Sequence, residues 1–227
     1  MPTTLDMSEQ DLRAVNVALQ AANGKDEINE FVIEKPQGQH AIAVGLDSPA
    51  NVTINGHTGY YCAGMNKSAT ITINGMSGQG VAENMMSGRV HIKGDAGAAA
   101  GATAHGGLLI VEGNAGSRCG ISLKGGTIAV RGNVGHLSCF MAQAGVLVVG
   151  GDAGDALGDS IYETRIYVRG SVKGLGADCI EKPMRQEHLD QLQAVLDAAG
   201  FTDMNPSDFR RYGSARQLYN WNAGNTY

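Results

Sequence analysis

From Asn51 to Pro183 the aliphatic and polar positions return every 19 residues, seven times and with no insertion. The blocks begin at Asn51, Thr70, Arg89, Leu108, Thr127, Val146 and Arg165. Position 2 of every block is aliphatic: Val52, Ile71, Val90, Leu109, Ile128, Leu147 and Ile166. So is position 4: Ile54, Ile73, Ile92, Val111, Val130, Val149 and Val168. Residues two apart share one side of a strand, so the stacked blocks predict two inward aliphatic ladders. Position 6 is always glycine, from Gly56 to Gly170, and position 9 is glycine in six of seven blocks, from Gly59 to Gly154. The position-6 glycine is expected to turn the chain by accepting positive φ, and the position-9 glycine to complete the corner. Positions 8 and 13 are small, which suits a narrow interior, and Gly88, Gly107, Gly126 and Gly145 mark a third corner at position 19. The pattern predicts an all-β fold, a right-handed parallel β-helix of seven 19-residue turns. At about 4.8 Å per turn the column is roughly 34 Å long. In the last turn Lys173 replaces the second corner glycine, which is expected where the helix relaxes at its end.

The flanks read as extensions that close the two open ends. Residues 1–50 form an N-terminal helix and cap, 51–183 the solenoid, and 184–227 a C-terminal helix and tail. Ser8-Glu9-Gln10-Asp11 resembles a helix start; Leu12, Val15, Leu19 and Ala22 share a face, and Gly24 ends it. Residues 31–46 read as a strand and an irregular first turn. Pro183 opens a second amphipathic helix carrying Leu189, Leu192, Val195, Leu196 and Ala199, stopped by Gly200. The final segment holds Trp221, the only tryptophan, and three of the seven tyrosines, which suits a segment that packs against something.

Positions 1, 3 and 5 should point outward. They are polar in the first three turns (Asn51, Thr53, Asn55; Thr70, Thr72, Asn74; Arg89, His91, Lys93). In turns four to six they become apolar: Leu108, Ile110, Ala129, Val146 and Val148. A contiguous apolar wall needs a cover. Two covers are open: a terminal helix of the same chain, or another subunit, for which these five residues are the candidate partner interface.

Composition narrows the chemistry. A net charge of −5 without a basic stripe argues against nucleic acid. No apolar run is long enough to span a membrane, and the first 16 residues lack the pattern of a signal peptide. Cys62, Cys119, Cys139 and Cys179 occupy positions 12, 12, 13 and 15, a set that builds neither a disulfide nor a zinc or iron–sulfur site and points to reduced thiols in the cytoplasm. The four histidines inside the repeats, His57, His91, His105 and His136, fall in four different columns, so they do not converge on a metal. The glycines form no complete dinucleotide or phosphate-binding fingerprint and no nucleophile elbow. Asp152, Asp155, Asp159, Glu163 and Asp178 gather near the last turns. They are expected to be a solvated acidic patch or an anchor for arginines on a partner, and two of them could instead serve as an acid–base pair; stacked Asp159 and Asp178 are the one place where like charges would couple. Catalytic, cofactor-binding and metal-ligating residues are therefore assigned to none of the side chains.

The repeated aliphatic-x-aliphatic-x-Gly-x-x-Gly turn of residues 51–183 resembles the β-helix domain at the C-terminal end of the glutamate synthase large subunit, the GXGXG family. It is also similar to the C subunit of formylmethanofuran dehydrogenase. A chain of this size with a segment such as Asp208-Phe209-Arg210-Arg211-Tyr212-Gly213-Ser214-Ala215-Arg216 is most similar to the small β-helix subunit of N-methylglutamate synthase. The resemblance implies a non-catalytic scaffold in a hetero-oligomer. An amidotransferase-like subunit and a synthase subunit carrying FMN and an iron–sulfur cluster would be its partners. The alternatives are the same scaffold in a formyl-transferring complex, or a free-standing β-helix enzyme. Insertion-free turns and the absence of a six-residue period argue against the last.

Overall fold

The computed structural model describes residues 1–26 and 28–216; Tyr219, Trp221 and Tyr227 of the aromatic tail lie outside them. Strands β1 (Thr3–Asp6) and β2 (Glu30–Glu34) bracket helix α1 (Leu12–Gln20). The seven blocks then supply β3 (Asn51–Asn55), β4 (Thr70–Ile73), β5 (Arg89–Ile92), β6 (Leu108–Val111), β7 (Lys124–Val130), β8 (Ala144–Val149) and β9 (Arg165–Val168). After them come β10 (Cys179–Lys182), helix α2 (Gln186–Ala199), a 3-10 turn (Pro206–Asp208) and β11 (Arg210–Ser214). The strands form one sheet in the order β1-β2-β3-β4-β5-β6-β7-β8-β9-β11-β10.

The predicted parallel solenoid is present in the predicted register, Val52 beside Ile71 and Ile54 beside Ile73, and so on up the column. Every position-2 and position-4 side chain is at most 2% exposed, and together they run through a continuous core. Position 8 makes a second, one-residue-wide parallel ladder from Thr58 through Ser77, Ala96, Ala115, Val134 and Ala153 to Val172.

The glycines at positions 6 and 9 act differently from the expectation. Of the position-6 glycines only Gly56 has a φ in the left-handed region, at +139°, and none at position 9 does. Their constraint is the distance between turns. A Cβ on Gly135 would lie 2.5 Å from the Ser117 nitrogen and 2.7 Å from the Gly116 carbonyl carbon. No side chain fits where adjacent corners stack this closely. The position-19 glycines do behave as predicted, with φ of +81°, +80°, +74° and +99° at Gly88, Gly107, Gly126 and Gly145. The third side of the column is left-handed as well, but mostly without glycine: Tyr61, Ala63 and Met65 in one turn and Leu137, Cys139 and Met141 in another all have positive φ. Inter-turn hydrogen bonds hold that path, as in Tyr61 N to Gln79 O at 2.8 Å and Ala63 N to Ile42 O at 2.9 Å. Such bonds offset the steric cost of the left-handed region at residues other than glycine.

The sheet also starts before residue 51. β2 pairs in parallel with β3, Glu30 beside Asn51, and β1 pairs in parallel with β2. The step from residue 30 to residue 51 is 21 residues, so this earlier turn falls outside the 19-residue ruler. Helix α1 closes the end, burying Val15 and Leu19. Its N-cap is Asp11, whose carboxylate accepts from Ala14 N at 2.8 Å, while Ser8 instead bonds Asp6. Asn16, Gln20 and Asn23 donate to the carbonyls of Ala41, Val44 and Gly45, satisfying the edge of the first turn.

Candidate functional site

The apolar outer wall has its cover within the chain. α2 and the segment after it lie across turns four to seven, and Ile110, Ala129, Val146, Val148 and Tyr167 pack with Leu192, Leu196, Ala199, Phe201, Met204 and Phe209 in a second core. Leu108 borders it, and Val195 and Met184 pack at its margin. Ile110, Ala129 and Val148 are fully buried and Val146 is 7% exposed. The residues assigned as a candidate partner interface (Leu108, Ile110, Ala129, Val146 and Val148) are thus the seat of the chain's own helix. Polar pegs fix the cover. Arg89 donates to the Ala198 carbonyl at 2.8 Å, and Arg131 donates to Asp203 at 2.6 Å with its guanidinium 5.3 Å above the Phe201 ring. Arg165 and the Tyr167 hydroxyl both donate to Gln191 Oε1, at 3.0 and 2.8 Å. Tyr167 was missed because turn seven returns to a polar position 1, Arg165, and an amphipathic tyrosine at position 3.

The corner acids have structural partners. At position 7 each side-chain oxygen accepts the backbone N–H of the residue one turn on: Asp95 from Asn114, Asn114 from Asn133, Asn133 from Asp152, and Asp152 from Ser171, all at 2.7–2.9 Å. The Ser171 N–H and hydroxyl lower the Asp152 pKa below the ordinary carboxylate range. This ladder was legible in the sequence, since Asp95, Asn114, Asn133 and Asp152 share one column. Asp155 accepts from Ala156 N, and Asp159 from Ser160 and Ala177 N. Asp178 accepts from Ser214, and Glu163 pairs with Arg216.

The cysteines are interior. Burial pushes the thiols of Cys62, Cys119 and Cys179 up to about 12 and raises Cys139 well above its ordinary value, so they stay protonated. His40, His57, His105 and His136 are exposed, whereas His91 is half-buried against Glu112 at 2.9 Å. His188 is buried in α2, where its Nδ1 accepts from Arg185 N at 3.1 Å. Burial lowers its pKa, with Arg211 adding to the effect, so the imidazole is held neutral. Among the described residues no group of three or more His, Cys, Asp or Glu could hold a metal ion, and no helix is long and apolar enough to cross a membrane.

One cleft gathers charge. It lies at the C-terminal end of the column, has a volume of about 430 Å³, and is lined by Arg165, Lys182, Arg185, Arg211 and Arg216 with Glu163, Glu187 and Thr164. No column of the repeat contains this set. The insertion of β11 between β9 and β10 brings Arg211 and Arg216 beside the last turns.

Comparison with known proteins places the chain in a family. No protein-family model and no solved structure matches it. It is 56% identical over 221 residues to Protein GlxC of Rhizobium meliloti (strain 1021), an alignment that covers 97% of each chain. Identity at this level over nearly the whole length of both proteins means that the chain belongs to the GlxC family.

Proposed function

We propose that this chain is a non-catalytic scaffold subunit of a glutamate-synthase-type complex, specifically N-methylglutamate synthase. The complex converts glutamate and methylamine to N-methylglutamate and ammonia. The chain holds an amidotransferase-like subunit and an FMN and iron–sulfur synthase subunit in fixed relative position in the cytoplasm. FMN and the cluster reside on the synthase subunit.

The observation that carries the proposal is the use of the corner side chains. A β-helix enzyme presents reactive groups on its turns. Here the Asx column at position 7 is bonded to the backbone of the next turn, and the acids near the last turns are bonded to neighbouring N–H, hydroxyl and guanidinium groups. Such turns resist deformation, and stiffness is what positioning two other subunits requires. The turn motif's similarity to the glutamate synthase β-helix supplies the kind of complex.

Affinity purification from native cells, with mass spectrometry and a visible spectrum, tests the proposal. The expected result is an amidotransferase-like chain and a yellow-brown flavin and iron–sulfur chain at fixed stoichiometry, with methylamine-dependent turnover. A lone, colourless chain would overturn it.

A further inference from the structure

The cleft at the C-terminal cap holds five basic residues against two acidic ones, in a chain whose net charge is −5. The acids do not neutralise it. Glu163 is engaged by Arg216 at 3.0 Å, and Glu187 lies 3.9 Å from Arg185, beyond hydrogen-bond distance. Arg211 is partly buried and donates through Nε and Nη2 to the Pro183 carbonyl, a neutral acceptor. Burial lowers its pKa, as does repulsion from Arg165 and Arg185, and Tyr167 and Glu187 offset this only in part.

A second observation is independent of charge. Thr164 is 2% exposed, lines the cleft, and its hydroxyl has no hydrogen-bond partner. An unsatisfied buried hydroxyl destabilises the state that holds it. Thr164 also occupies position 19, where the four preceding turns carry Gly88, Gly107, Gly126 and Gly145. The repeat thus changes from glycine to a hydroxyl at the turn that borders the cleft.

We propose that this cleft is a binding site for a small oxyanion, a carboxylate or phosphate, held by the guanidinium groups of Arg165, Arg185 and Arg211 and the Lys182 ammonium. Guanidinium forks match the paired oxygens of both anions, and the volume lies in the small-ligand range of roughly 300–1,000 Å³. The ligand ties together four separate pieces: turn seven, β10, α2 and β11. Binding therefore stabilises the cap that closes the column. This site is independent of the scaffold proposal.

The test is calorimetric titration of the full chain at constant ionic strength with inorganic phosphate, with succinate, and with a short glutamate-rich peptide. Saturable one-to-one binding of phosphate or succinate is expected, with a melting temperature that rises with ligand concentration. Arg185→Gln, on the exposed rim, should weaken binding about tenfold. Arg118→Gln, an exposed cation elsewhere on the column, should change nothing. No saturable heat, or equal losses for Arg118→Gln and Arg185→Gln, would overturn the site. Binding of the peptide alone would overturn the small-anion assignment.

Discussion

The column and its C-terminal cap solve the same problem by opposite means. In the column each turn buries its aliphatics against an identical neighbour, so one pattern repeated seven times satisfies every interior strand. At the cap there is no eighth copy. The edge of β9 is instead met by β11 running antiparallel, and β10 is displaced one place outward. The outer wall is met by α2 and the segment after it, whose side chains come from outside the repeat. Repetition stabilises what lies between two turns and cannot stabilise an end. The N-terminal end shows an intermediate solution, a slightly long parallel turn closed by α1 and three side-chain amides.

This contrast makes column damage global and cap damage local. The largest effect is expected from Gly135→Val. Its Cβ would sit 2.5 Å from the Ser117 backbone nitrogen, so turns must separate; soluble expression should collapse, and a yield equal to the parent protein would show that the turns can yield. Leu147→Ala, in the fully buried inner ladder, should cost about 3 kcal/mol and shift the urea midpoint of the whole chain. Val148→Asp, one residue along and on the other face, places a carboxylate under α2. Undocking the helix lets that charge reach water. The expected cost is about 2 kcal/mol, with new protease cleavage beyond Pro183 and an intact column. A single transition with no such cleavage would erase the distinction between column and cap.

The smallest effect concerns acid. Arg131 beside Asp203 holds its carboxyl below the ordinary carboxylate range. A depressed folded-state pKa contributes stability that is present above the unfolded value, about 3.9, and is lost as pH falls through the folded value. Protease sensitivity of the cap should therefore rise below about pH 4. Arg131→Gln should flatten that dependence, and a variant with the parent's acid profile would show that the pair does not hold the cap.

The aliphatic ladders, their register and the position-19 corners were legible because strand stacking imposes the same demand on every copy, and equal demands leave a period. The roles of the position-6 and position-9 glycines were not. A glycine required by positive φ and one required by a neighbouring backbone look alike in sequence, and only the 2.5 Å approach at Gly135 separates them. The apolar residues of turns four to six announced a covered wall without naming its cover. The amphipathic face of α2 was visible, but amphipathicity says that a helix docks and not where. The cleft was invisible, because Arg165, Lys182, Arg185, Arg211 and Arg216 come from four pieces of chain with no shared spacing.

The sequence by itself determined the parallel column, since contacts between successive turns are local in the repeat and each block carries its half of them. Only the tertiary structure decided the ends: the pairing of β1 beside β2, the reversal at β11, the helix seated on Val146 and Val148, and the cationic cleft beside Thr164. These depend on segments distant in the chain meeting once, and a contact made once leaves no period to read.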